Sequence, residues 1–315
     1  MQGVTGADSP IGAFGKVPAA GDFVSLGAGS AVTQAFQAWL QQENDHLASK
    51  RLPVPTTPIR FVYRDAQGGA IVGALGPSRD TVGRTFPLSI FTHVDVHTAM
   101  PRFSALPTAF DAFLDGACQT IAEAGTMELP TLSARVSGLH LPSAAELRDA
   151  SLWTHEALGA TAGTVLLERL FGPIAQGVHF HGLNMMRTAC AQVHGRDPGK
   201  AGIIVECHAG DDVQIAFWLC MAEALLRWTA APPAFFWTAP SSPDSRLLLS
   251  LGAPPLGLMH YLADPSVAAD RLWPTRTTSA AAVEAGRKAL GPTQRQALEP
   301  PAPTAAGLLA ALVQP

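Results

Sequence analysis

Two short polar segments concentrate the side chains that could do chemistry: Gly12-Ala13-Phe14-Gly15-Lys16-Val17-Pro18-Ala19-Ala20-Gly21-Asp22-Phe23 and Ser78-Arg79-Asp80-Thr81-Val82-Gly83-Arg84-Thr85-Phe86-Pro87-Leu88. Glycine amides beside Lys16 could cradle a phosphate, and Asp22 with Asp80 is the one carboxylate pair worth testing for acid–base work. The phosphate-loop spacing fails, because Pro10 stands where the leading glycine belongs and Val17 where a serine or threonine should follow the lysine. His179 and His181, read as neighbours on one face of a strand with Cys190, Cys207 and His208 as further ligands, form a weak metal pattern. No nucleophile elbow, zinc-protease helix or serine–lysine signature occurs in the chain. The charges of the two segments, held between glycines and prolines, therefore serve either as a bracing network or as a displayed recognition surface.

The elements that must position them follow from periodicity. Ser30 predicts an N-cap, and Val32, Phe36, Trp39, Leu40 and Leu47 predict a helix over 31–49 with an aromatic inner face. Residues 59–63 and 70–75 alternate as strands around a Gly68-Gly69 turn, and 86–94 forms a third strand. Helices are expected over 107–124, after Ser143 and over 157–171. Strands are expected over 177–180, 202–207, 213–219 (running into a helix), 234–238 and 246–251, with a short helix over 256–262. Strands mixed with helices in this way predict an α/β class with a sheet covered on both faces.

The 315 residues give a prior of about two domains. They carry 29 glycines and 26 prolines, only 15% charged residues and a net charge of −4, which argues against disorder throughout and against nucleic acid as a partner. Four scattered cysteines read as reduced thiols of a cytoplasmic protein. The opening residues lack the pattern of an export signal, and the most apolar stretch, 215–226, is interrupted by Glu223, so no membrane insertion is expected. Beyond Trp273 there is no aromatic residue, and 274–315 is expected to be a loosely ordered Ala/Pro-rich tail outside a single α/β unit of 1–273.

The two polar segments resemble the hallmark motifs of the TagF (ImpM) family of type VI secretion-associated proteins. Gly12, Gly15, Lys16, Pro18, Gly21, Asp22 and Phe23 match the first motif. Ser78, Asp80, Val82, Gly83, Arg84, Phe86, Pro87 and Leu88 match the second, and Trp39 falls where the family carries a tryptophan. The match covers 10–125; 126–273 diverges, although Trp237 and the Leu256-Gly257-Leu258 stretch resemble the end of the family's domain. The resemblance implies a three-layer α/β/α sandwich with a mixed sheet, here enlarged in its second half. It also implies a cytoplasmic, non-enzymatic regulator without cofactor. Such a protein represses assembly of the secretion system after translation, in a pathway with a kinase, a phosphatase and a forkhead-associated scaffold, the scaffold being the expected partner. On that reading Lys16, Asp22, Phe23, Arg79, Asp80 and Arg84 are the candidate partner-binding residues and Trp237 a structural anchor. The competing expectation is an enzyme or sensor in which the 12–23 and 78–88 loops form a cleft where Lys16 and Arg84 hold a small anionic ligand.

Overall fold

One continuous sheet, covered on both faces, organises the chain. The computed structural model describes residues 10–27, 29–94, 102–229, 231–238, 245–264, 266 and 270–314. Strands β1 (Ile11–Gly15) and β2 (Val24–Leu26) precede helix α1 (Ala31–Lys50), followed by β3 (Ile59–Arg64), β4 (Ala70–Gly76) and β5 (Leu88–Val94). Six helices come next: α2 (Leu106–Ala109), α3 (Asp111–Glu123), α4 (Leu129–Ser137), α5 (Ala144–Ala160), α6 (Gly163–Phe171) and α7 (Val178–Ala191). The remainder is β6 (Ile204–His208), α8 (Asp212–Leu226), β7 (Ala234–Thr238), β8 (Arg246–Ser250), α9 (Leu258–Ala263), β9 (Leu272–Pro274), α10 (Ala280–Ala289), α11 (Pro292–Leu298) and α12 (Ala305–Leu312). The strand order is β2-β1-β5-β4-β3-β7-β8-β6-β9, antiparallel except for the parallel β6–β9 pair.

Successive side chains along a strand point to opposite faces, and here both faces are buried. On β7, Phe235 and Trp237 enter a core shared with the many helices from α3 to α12, whereas Ala234 and Phe236 enter a smaller core beneath α1 and α9. Ile59, Phe61 and Tyr63 of β3 join Phe36 and Trp39 of α1 in that second core, with the Phe36 and Phe61 rings stacked at 5.0 Å. The result is the expected three-layer α/β/α sandwich with a mixed sheet. Helix α1 starts where Ser30 accepts the Thr33 amide at 3.3 Å and stops at Arg51 in the left-handed region, before Pro53 and Pro55. Among the described residues no helix is long and apolar enough to cross a membrane.

Four expectations are corrected. The first motif does not begin as a loop: residues 11–15 form β1, buried throughout, whereas the glycine-bearing start before Pro10 lies outside the described residues. Residues 177–180 open helix α7 instead of forming a strand. Residues 213–219 belong to helix α8, capped by the Asp211 carboxylate on the Gln214 amide at 2.8 Å; an apolar run buried on nearly every side carries no period to separate helix from strand. The segment 274–315 is not a loose tail. Leu290, Leu298, Ala305, Leu308 and Leu312 are all buried in the larger core, and alanines and glycines let the backbones approach closely enough to do without aromatics. At Gly286 of α10 a Cβ would stand 2.7 Å from the His181 Cα of α7.

Candidate functional site

The two motif loops meet at the end of the β1–β5 pair. β1 delivers Lys16 at its C-terminal end, and Gly15 is required there: its φ is +145°, and a Cβ would lie 2.2 Å from the Pro87 carbonyl oxygen. The second loop is a tight hairpin closed by Arg79 pairing with Thr85 and by the Phe86 amide donating to the Ser78 carbonyl at 3.1 Å. Gly83 turns it in the left-handed region, φ +87°.

Asp80 organises both loops. Its Oδ1 accepts the amides of Val82 at 3.1 Å and Arg84 at 2.9 Å, and its Oδ2 accepts Lys16 Nζ at 2.9 Å and Arg84 Nε at 2.6 Å. Arg84 also donates to the Gly21 carbonyl at 2.7 Å, and the Thr81 amide donates to the Ala20 carbonyl at 3.1 Å, so the second hairpin is stitched to the first loop. Burial alone would raise the Asp80 carboxyl, but Lys16 and the side chain and amide of Arg84 hold it well below the usual carboxylate range. A depressed folded-state value stabilises the fold above the ordinary carboxylate range, and that stabilisation fades as pH falls toward the folded value. Asp80→Asn, which leaves Lys16 facing an amide, is therefore expected to melt below the parent at pH 7, with the gap closing as pH is lowered from 5 to 2. Thermal melts across that range check this, and equal melting temperatures at pH 7 would remove Asp80 from its organising role.

Around this buried pair the surface is displayed. Phe23 is 39% exposed, stacks on Phe14 at 5.4 Å and meets Phe86 edge-on at 4.8 Å, with Lys16 Nζ 5.3 Å from its ring centre. Val82 at the hairpin tip is 72% exposed, the Arg84 side chain 61% exposed, and Arg79 and Asp22 are also on the surface. Asp22 bonds the Phe23 amide at 2.8 Å and is not brought to Asp80 by any bond among the described residues. Trp237 sits apart, 1% exposed in the middle of the sheet. The cations that an anionic ligand would need are engaged within the protein, Lys16 on Asp80 and Arg84 on Asp80 and Gly21.

His179 and His181 are on helix α7, where two residues of separation turn side chains about 200° apart, and among the described residues no group of three metal-ligating side chains gathers. His179 is buried and its imidazole is pushed down to about 4, first by burial and then by Arg287. The four cysteines are free. Two residues escaped the sequence reading. Val82 matches the second motif but does not stand among the expected partner-binding residues, and Glu43 is buried on the inner stripe of α1, in step with Phe36, Leu40 and Leu47. That helical spacing was the available signal for Glu43.

Residues 12–139 match the TagF N-terminal domain, described as type VI secretion system-associated. A crystal structure of PA0076 from Pseudomonas aeruginosa PAO1 is similar at a TM-score of 0.46 and 16% identity, covering 82% of this chain and 96% of that one. No curated protein matches the sequence. Both loops, Gly12 to Phe23 and Ser78 to Leu88, fall inside the stretch that matches the TagF N-terminal domain, described as type VI secretion system-associated.

Proposed function

We propose that the protein is a non-enzymatic regulator that holds type VI secretion assembly in check after translation. It does so in the cytoplasm by binding a component of the apparatus, the forkhead-associated scaffold being the expected partner. The observation that carries this reading is the division of labour in the motif surface. Buried Lys16 and Asp80 lock two loops together, and the locked loops present Phe23, Val82, Arg79 and Arg84 to solvent. A rigid patch with an aromatic, an aliphatic tip and two guanidinium groups suits protein recognition, where such anchors dominate the energy.

Pull-down from a native lysate with the tagged full chain is expected to recover the scaffold or another secretion component. Val82→Glu and Arg79→Glu, at exposed positions, should weaken recovery by about tenfold or more while leaving the melting temperature within about 2 °C of the parent. Arg84→Ala is judged by both readouts, since Arg84 also braces Asp80. Recovery of no secretion component, together with unchanged effector secretion on deletion, would sink the reading. A shift in melting temperature with nucleotides or phosphorylated metabolites would favour the anion-binding alternative instead.

A further inference from the structure

On the α1 side of the sheet, flanking the second motif loop, lies a cavity of about 100 Å³. Its walls are mainly apolar, with Leu40 and Leu47 of α1, Val54 beyond that helix, Leu75 of β4, Phe86 and Met259, and Asn44 of α1 adds a polar amide. Ser78, Thr85 and Pro87 of the motif loop complete one side. It is smaller than the roughly 150 Å³ cavity that accepts a benzene ring, so a single linear side chain fits it better than a ring. Glu43 is the one charged residue among its lining residues and is 1% exposed.

The Glu43 carboxylate accepts the Gly257 amide at 2.7 Å and the Met259 amide at 2.6 Å, leaving part of its acceptor capacity unused. Burial outweighs the two amides, which pull the other way, and leaves the carboxyl pushed up to about 7, with no cation among the described residues contributing. The titratable groups near it are His46 of α1 and Tyr261 of α9. The His46 imidazole lies near Gly257, and burial raises the Tyr261 hydroxyl, with the Glu43 charge adding to the effect. The lining residues of β4 and of the motif loop carry no charge. A carboxylate removed from water without a cation is costly, and a cation brought on an apolar stem would offset that cost.

We propose that this cavity receives a lysine side chain of the protein that docks on the motif surface, its methylene stem against Leu40, Leu47 and Val54 and its ammonium on Glu43. This role rests on the chain being a protein-binding regulator; the cavity's own affinity for an alkylammonium does not. Methyl-labelled full-length protein is titrated with n-butylammonium, the lysine side chain without its backbone, and with n-butanol. Saturable shifts at the methyls of Leu47, Val54 and Met259 are expected, at least tenfold tighter for the ammonium than for the alcohol. The ammonium should bind roughly fivefold or more tighter at pH 8 than at pH 6, where Glu43 takes up a proton.

Glu43→Gln should lose the preference for the ammonium over the alcohol. Val54→Trp, at a position 48% exposed on the cavity's rim, should plug the cavity, abolish the shifts and weaken partner recovery at least tenfold. If Glu43→Gln does not fold, Val54→Trp and the pH comparison still decide. Equal binding of alcohol and ammonium, an unchanged titration in Val54→Trp, or full partner recovery by that variant would overturn the assignment. Failure of the parent protein to recover any secretion component would instead strike the regulatory reading, while the titration reports on the cavity independently.

Discussion

Ending the chain at Pro274 is expected to leave a protein that does not fold cooperatively. The deleted stretch supplies Leu290, Leu298, Leu308 and Leu312, each buried in the larger core, along with buried Ala305. Removing a single buried leucine side chain costs about 2–5 kcal/mol, so four together exceed or consume the roughly 5–15 kcal/mol that holds a typical domain folded. The losses extend beyond apolar area. The Gly163 amide donates to Pro303 and the Ala305 amide to Thr161, both at 2.8 Å, and the Arg287 guanidinium lies 3.9 Å from the centre of the Phe180 ring. Loss of near-ultraviolet ellipticity and collapse of amide dispersion in the 1–274 fragment would register the effect. A fragment melting cooperatively within about 5 °C of the full chain would show that α10, α11 and α12 are an accessory.

Trp237→Ala should be the most damaging single substitution among the motif and anchor residues. Trp237 lies on β7, directly opposite Arg60 of β3 on one side and Leu247 of β8 on the other, with its ring 5.5 Å from that of Phe235. Truncating a buried tryptophan costs about 3–5 kcal/mol, and in a sheet centre the surrounding strands cannot collapse into the space. The melting temperature should fall by roughly 10 °C, whereas Trp237→Phe should recover much of the loss. Since Trp237 is remote from the displayed loops, the folded fraction of Trp237→Ala should still bind the partner. A melt within about 2 °C of the parent would show that the tryptophan fills no essential space.

The strands of the sheet's first half were readable because each is short, bounded by turn residues and built from alternating or β-branched positions, as Ile59 to Tyr63 and the Gly68-Gly69 turn illustrate. Helix α1 was readable from its cap and its inward aromatic stripe. Residues 177–180 and 213–219 misled because a few consecutive apolar residues satisfy either period, and what decides between them is local: Gly177 in the left-handed region before α7, Asp211 before α8. The tail misled for a different reason. Absence of aromatics suggested little to bury, but close backbone approach at Gly286 and leucines spaced across three helices provide the burial instead. In the motif loops the charges and glycines were legible as a constrained unit. That Asp80 accepts from both loops at once, so that bracing and display coexist, depends on register between residues 64 positions apart. The Glu43 cavity was least legible, because its walls come from α1, β4, the second motif loop and the start of α9.

The family-matching stretch ends at residue 139, and the strands inside it, β1 to β5, stop at β3. The next ladder pairs Ile59 to Val62 with Phe235 to Thr238 of β7, a strand that lies outside the stretch. The matched stretch taken alone is therefore about half a sheet with a raw margin: a fully buried strand, Ile59–Arg64, whose unpaired amides and carbonyls would be offered to any neighbouring chain. Cut there, the molecule would carry a template for self-association where it now has an interior, and its usable boundary lies at the far end of the sheet instead of at the end of the match.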